Sequence, residues 1–264
     1  MRWMVLWLAI SGLPLPALAR QSVPVEAQLA AAHALGKRIH AYDRAAWVAS
    51  DALVEQVPKA QLTQVRGWVV TPDGEDLIVT FQSGAGAAAK RFFIVRVRSG
   101  IVVETDKPTE QLPLSETEMA LVRARDVAAE EVTRRDFRAC TPARFNSVVL
   151  PPEAPGQPIR AYFLSAQVSS ESWPMGGHYL VLIDSAGQVQ SSRRFTNSCI
   201  AMPAPKKGQN APMFVITHLL DPAPTEIHAF TTIASGVPIM VATSDRNAWR
   251  VTGAGISFAG KLGN

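Results

Sequence analysis

Cysteine is nearly absent from this 264-residue chain. The only two, Cys140 and Cys199, exclude both a disulfide-dense small scaffold and a cysteine-rich zinc cluster. Long apolar runs are absent too: after residue 10 no uninterrupted stretch approaches the roughly 20 residues that a spanning helix needs. Neither sign of charge dominates, with 26 Lys+Arg against 22 Asp+Glu, a formal +4. The basic pairs Lys90-Arg91, Arg134-Arg135, Arg193-Arg194 and Lys206-Lys207 are scattered rather than clustered with aromatics, which argues against a nucleic-acid partner and leaves at most weak attraction to an anionic envelope surface. The chain lacks a G-x-S-x-G elbow, an S-x-x-K pair, an H-E-x-x-H helix motif and a Walker A loop, so no motif names a reaction. The segment 84–89 fits G-x-G-x-x-A, but a β-rich stretch follows it instead of a helix, and it reads as a hairpin loop.

What is present begins with a short positive start, Met1-Arg2, an apolar run over 3–10, breakers at Gly12, Pro14 and Pro16, and Ala17-Leu18-Ala19. This is the pattern of a secretory leader with cleavage after Ala19. It predicts an exported chain of residues 20–264, periplasmic or extracellular, in which Cys140 and Cys199 meet an oxidising compartment and pair.

With 47% hydrophobic residues, the remainder has the material for one large core or two subdomains, 20–110 and 111–264. Over 24–57, Leu29, Ala32, Leu35, Ile39, Tyr42, Ala46, Ala49 and Leu53 recur at helical spacing, with Gly36 the only internal breaker and Pro58 the stop. Strand patterns follow at 68–70, 77–81, 91–98 and 101–104, separated by Pro72-Asp73-Gly74 and Ser99-Gly100 turns. Ser115 with Glu118 forms a capping box for a second helix to about residue 137, with Met119, Val122, Ala129 and Val132 on its inner face. Strands are then expected at 145–150, 159–167, 179–183, 188–195, 213–218, 226–233, 238–243 and 249–252. The order helix, strands, helix, strands, joined by tight turns, predicts an α+β fold with antiparallel sheets. Segments 92–103 and 179–189 share a plan of strand, Ser/Gly turn, strand, which hints at duplication.

Few residues offer chemistry. If 213–218 and 226–233 form a hairpin about Pro222, His218 lies opposite Glu226, with His228 on the same face. Two imidazoles and a carboxylate are a ligand set for zinc or iron with open positions. His178 is delivered to a strand mouth by Gly176-Gly177, where a backbone can approach a ligand closely. Arg96 and Arg98 share one strand face and offer forked donors to an anion.

The reading that follows is an exported protein braced by one disulfide, which binds a protein partner or small molecule and needs no cofactor. The alternative is a metal-dependent hydrolase or oxygenase using His218, Glu226 and His228, with His178 nearby.

Overall fold

A computed structural model describes residues 24–110, 112–206 and 212–263; the expected leader lies outside them. Helix α1 (Val25–Gln56) is followed by a short α2 (Lys59–Leu62). The meander β1 (Val65–Asp73), β2 (Asp76–Ser83), β3 (Lys90–Arg98) and β4 (Ile101–Asp106) comes next. Helix α3 (Glu116–Arg134) leads into β5 (Asn146–Leu150), β6 (Ile159–Leu164), β7 (Ser172–Pro174), β8 (Tyr179–Ile183), β9 (Val189–Arg194) and β10 (Ala201–Pro203). The chain closes with β11 (Phe214–His218), α4 (Glu226–Ser235), β12 (Ile239–Thr243), β13 (Asn247–Thr252) and β14 (Gly255–Lys261). The class is α+β.

Three four-stranded sheets result, ordered β1-β2-β3-β4, β5-β6-β8-β9 and β11-β12-β13-β14, with β7 and β10 forming a small antiparallel pair. The two segments of shared plan each become a hairpin at the end of a four-stranded sheet, β3-β4 with a two-residue turn and β8-β9 with a longer loop. In the first, Ser99 and Gly100 both take positive φ, 50° and 76°, as a two-residue hairpin turn requires.

Helix α1 forms because its interior is rich in Ala and Leu and its apolar residues stay on one stripe. That stripe holds the core together. Ile39, Tyr42, Ala49 and Leu53 pack with Val79, Phe81 and Val95 of the first sheet and with Leu150, Tyr162 and Leu180 of the second. Leu29, one end of the stripe, packs with Val241, Trp249 and Val251 of the third. The opposite face of the second sheet, through Val149, Ala161, Phe163 and Val181, is covered by Leu121, Val122, Ala128 and Val132 of α3. The Ser115 and Glu118 capping box forms as expected. Buried Glu118 also accepts from Thr80 Oγ1 at 2.7 Å and from Arg91 at 2.7 and 3.0 Å, tying the start of α3 to the first sheet.

The expected strand at 226–233 is instead helix α4. Its β-branched run Thr231-Thr232-Ile233 imitates a strand, but Ile227 and Phe230 are spaced for a helix. Thr225 with His228 caps its start, and Gly236 at φ 68° ends it in the left-handed conformation. The helix carries the chain from β11 to β12, which therefore pair in parallel, the one departure from antiparallel pairing among the described strands. A helical crossover is what a parallel neighbour needs. Gly36 is explained by the same helix: a Cβ there would stand 2.6 Å from Ala229 Cβ and 2.7 Å from the Glu226 carbonyl, so α4 crosses α1 where no side chain intervenes.

Candidate functional site

Beside its buried stripe, α1 carries His40, Asp43, Arg44, Trp47 and Ser50, which fall on one face by helical spacing. They border a cavity of about 380 Å³ where α1, α4 and the edges of the first two sheets meet. Trp68 of β1, Leu164 of β6, Trp173 of β7 and Phe230 of α4 add apolar wall, while Asn146 of β5 and Gln167 add amide groups. Three of the chain's six tryptophans thus face one space. The size and the mixture, apolar walls with a few convergent polar groups, are those of a small-molecule site.

The electrostatics of the cavity are divided. Burial pushes the Asp43 carboxyl up to about 6, with a hydrogen bond from Asn146 pulling the other way. Burial, and then the charge of Arg44, lower His40. The Arg44 guanidinium lies 4.6 Å from the centroid of the Trp47 ring, in cation–π contact. Trp47 nonetheless remains 61% exposed, so it stands at the open side. His178 is a wall rather than a reactive group. Its Nδ1 accepts from the Ser165 N–H and its Nε2 lies 3.2 Å from the Pro174 carbonyl, and burial drives its pKa down to about 4. Both nitrogens are used and the ring is neutral.

Cys140 and Cys199 form the expected disulfide, with Cα atoms 5.2 Å apart. The glycines before His178 pack against the segments that carry this bridge. A Cβ on Gly176 would stand 2.3 Å from the Ser198 carbonyl, and one on Gly177 would stand 2.5 Å from Ser165 Oγ. Ser165 Oγ accepts from the Cys140 N–H and donates to the Gly177 carbonyl, both at 2.9 Å. One hydroxyl therefore joins the disulfide loop to the cavity wall.

The other candidate residues are placed differently from expectation. With 226–233 helical, the hairpin that would set Glu226 opposite His218 does not exist. Glu226 turns to Tyr162, whose hydroxyl donates to it at 3.0 Å. The rings of His218 and His228 do meet, edge to face at 4.7 Å. His218 Nε2 lies 2.8 Å from Asp221 Oδ2, and Asp221 also receives a forked pair of bonds from Arg193 at 2.5 and 3.2 Å. Burial alone would raise Asp221, but the His218 and Arg193 hydrogen bonds hold its carboxyl well below the usual range. His228 accepts from the Thr225 N–H at 2.9 Å and is lowered to about 3, by burial first and by neighbouring His218 next. The chain Arg193–Asp221–His218 fastens β9 to the end of β11, where His218 meets the start of α4. Among the described residues no three His, Cys, Asp or Glu side chains are grouped to hold a metal ion.

Arg96 and Arg98 are both engaged by acids of their own sheet. Arg96 bonds Asp76 at 2.9 Å and Asp73 at 2.8 Å, and Arg98 holds Asp76 at 2.6 and 3.0 Å. Bonds from Arg98 and then Arg96 bring the Asp76 carboxyl down to about 2. The pair neutralises a buried acid on the adjacent strand, where Asp76 lies directly opposite Arg98.

The sequence reading missed Asp43, His40, Arg44, Asn146 and the three tryptophans. A signal for the α1 members was present, a polar and aromatic stripe inside an Ala/Leu helix. Trp68, Asn146 and Trp173 reach the cavity only through tertiary packing. No protein-family model matches the chain, and no curated protein matches it in sequence.

Proposed function

We propose that this is an exported binding protein that holds a small amphipathic ligand in the cavity between α1, α4 and the first two sheets. The observation that carries the reading is the cavity itself, in which Trp47, Trp68 and Trp173 share a space of about 380 Å³ with Asp43 and Asn146. Burying polar groups costs stability unless they are bonded, and a site that collects several of them beside open aromatic faces gives a ligand both its contact area and its orientation. Export is supported by the leader pattern of residues 1–19. The disulfide agrees with an oxidising compartment.

Thermal unfolding against a panel of amines, carboxylic acids, sugars, nucleosides and fatty acids tests the reading. A ligand at about a hundred times its dissociation constant adds about 2.7 kcal/mol, so the midpoint should rise by several degrees for at least one class. The rise should vanish in Ala166→Trp and in Ser50→Met, which put larger side chains at two lining positions. A panel with no hit, or a hit that both variants retain, overturns the proposal.

A further inference from the structure

Resting on the binding reading above, we propose that the cavity takes a neutral saccharide, one ring inside and the next against Trp47.

Charge eliminates the alternatives first. A cationic ligand would seek an aromatic face next to an acid, but on Trp47 that position is held by the Arg44 guanidinium at 4.6 Å, and a second cation would be repelled by it. An anion would meet the Asp43 carboxyl on the same wall as Arg44, so that wall offers it no net positive charge. A hydrocarbon chain would press against the polar groups of His40, Asp43, Asn146 and Gln167 and could return none of the hydrogen bonds that water gives them. A neutral, hydroxyl-rich molecule carries none of these penalties.

The chemistry of the walls then fits it positively. Pyranose rings have one flat C–H face and a rim of hydroxyls. The negative face of an indole attracts the polarised C–H groups, and Trp47, Trp68 and Trp173 all line the cavity. The rim needs groups that both donate and accept in a plane, which carboxyl, amide and imidazole side chains provide. Asp43 and Asn146 are hydrogen-bonded neighbours, and His40 lies one helical turn from Asp43. At about 30 Å³ per water, 380 Å³ corresponds to about a dozen waters, room enough for a hexose ring. Because Trp47 is 61% exposed, a second ring can stack on the indole face that Arg44 does not cover.

The full mature chain is titrated with tetrasaccharides of N-acetylglucosamine, of β-linked glucose and of α-linked glucose, and in parallel with choline, benzoate and laurate. Tryptophan emission and heat of binding are read together. The expected result is one-to-one binding of at least one tetrasaccharide, weakened tenfold or more by Trp47→Ala and by Asp43→Asn while both variants keep their cooperative thermal unfolding. If choline, benzoate or laurate binds in an Ala166→Trp-sensitive way and no tetrasaccharide does, the saccharide assignment falls and the binding reading stands. If none of the six probes binds and the wider panel is also silent, both fall. Saccharide binding indifferent to Trp47→Ala and Asp43→Asn places the sugar elsewhere and overturns the assignment.

Discussion

Gly177 lies so close to Cys140 that a Cβ built on it would stand 2.7 Å from both the amide nitrogen and the sulfur of that cysteine. It also takes a φ of 69°, which L side chains rarely adopt. Gly177→Ala therefore meets a steric and a conformational obstacle together. We expect a loss of about 2–4 kcal/mol in denaturant unfolding, and a variant as stable as the parent would show that the loop relaxes freely.

The disulfide itself closes a separation of 59 residues. In the chain-entropy picture such a loop contributes on the order of 4 kcal/mol by restricting the unfolded ensemble. The double variant Cys140→Ala/Cys199→Ala should lower stability by an amount of that order, and the parent should fall similarly on reduction. A drop below about 1 kcal/mol would mean that the surrounding hydrogen bonds through Ser165 carry the brace instead.

For an exposed helix, replacing glycine by alanine stabilises by about 1 kcal/mol. At Gly36 the sign should reverse, since the added methyl would collide with Ala229 and with the Glu226 carbonyl. Gly36→Ala is expected to cost about 1–3 kcal/mol, and Gly36→Ala with Ala229→Gly should recover part of it. A stabilised single variant would deny the close crossing of α1 and α4.

Acid titration should separate two opposing groups. Asp43 is raised to about 6, so the folded state disfavours its ionised form. Its contribution is greatest when the carboxyl is protonated and is lost as pH rises from the ordinary carboxylate range through about 6. Asp43→Asn should thus stabilise at pH 7.5, by about 1–2 kcal/mol given its partial exposure, and hardly at all at pH 4. His178 works the other way. Lowered to about 4, it penalises the folded state as pH falls from about 6.5 through that value, by on the order of 3 kcal/mol. His178→Gln should flatten the acid decline of the melting temperature between pH 6.5 and 4, and an unchanged slope would refute its burial as a neutral ring.

Legibility in the sequence followed the range of the interactions. Helix α1 could be read because its whole apolar stripe lies within 32 residues, and the β3-β4 turn because Ser99-Gly100 carries its own geometry. The pairing of Cys140 with Cys199 followed from there being no other partner. Helix α4 reads as a strand because Thr231, Thr232 and Ile233 have strand character, which masks the helical spacing of Ile227 and Phe230 and the stop at Gly236. Arg96 and Arg98 seemed free until β2 was laid beside β3, which puts Asp76 opposite Arg98. The cavity was hidden for the same reason: Asp43, Asn146 and Phe230 are far apart along the chain, and the fold alone brings them to one wall.

Because α1 packs against all three large sheets, its position ahead of them in the chain has a kinetic consequence. The ribosome delivers this helix before the sheets it packs against, and Val251, which packs near Leu29, emerges more than 200 residues later. Until then its apolar stripe has no complete covering, so the chain cannot finish folding progressively from the amino end, the usual order for nascent domains. Shortened chains that end before α4 should therefore stay open and prone to cleavage, their first helix waiting for partners not yet made.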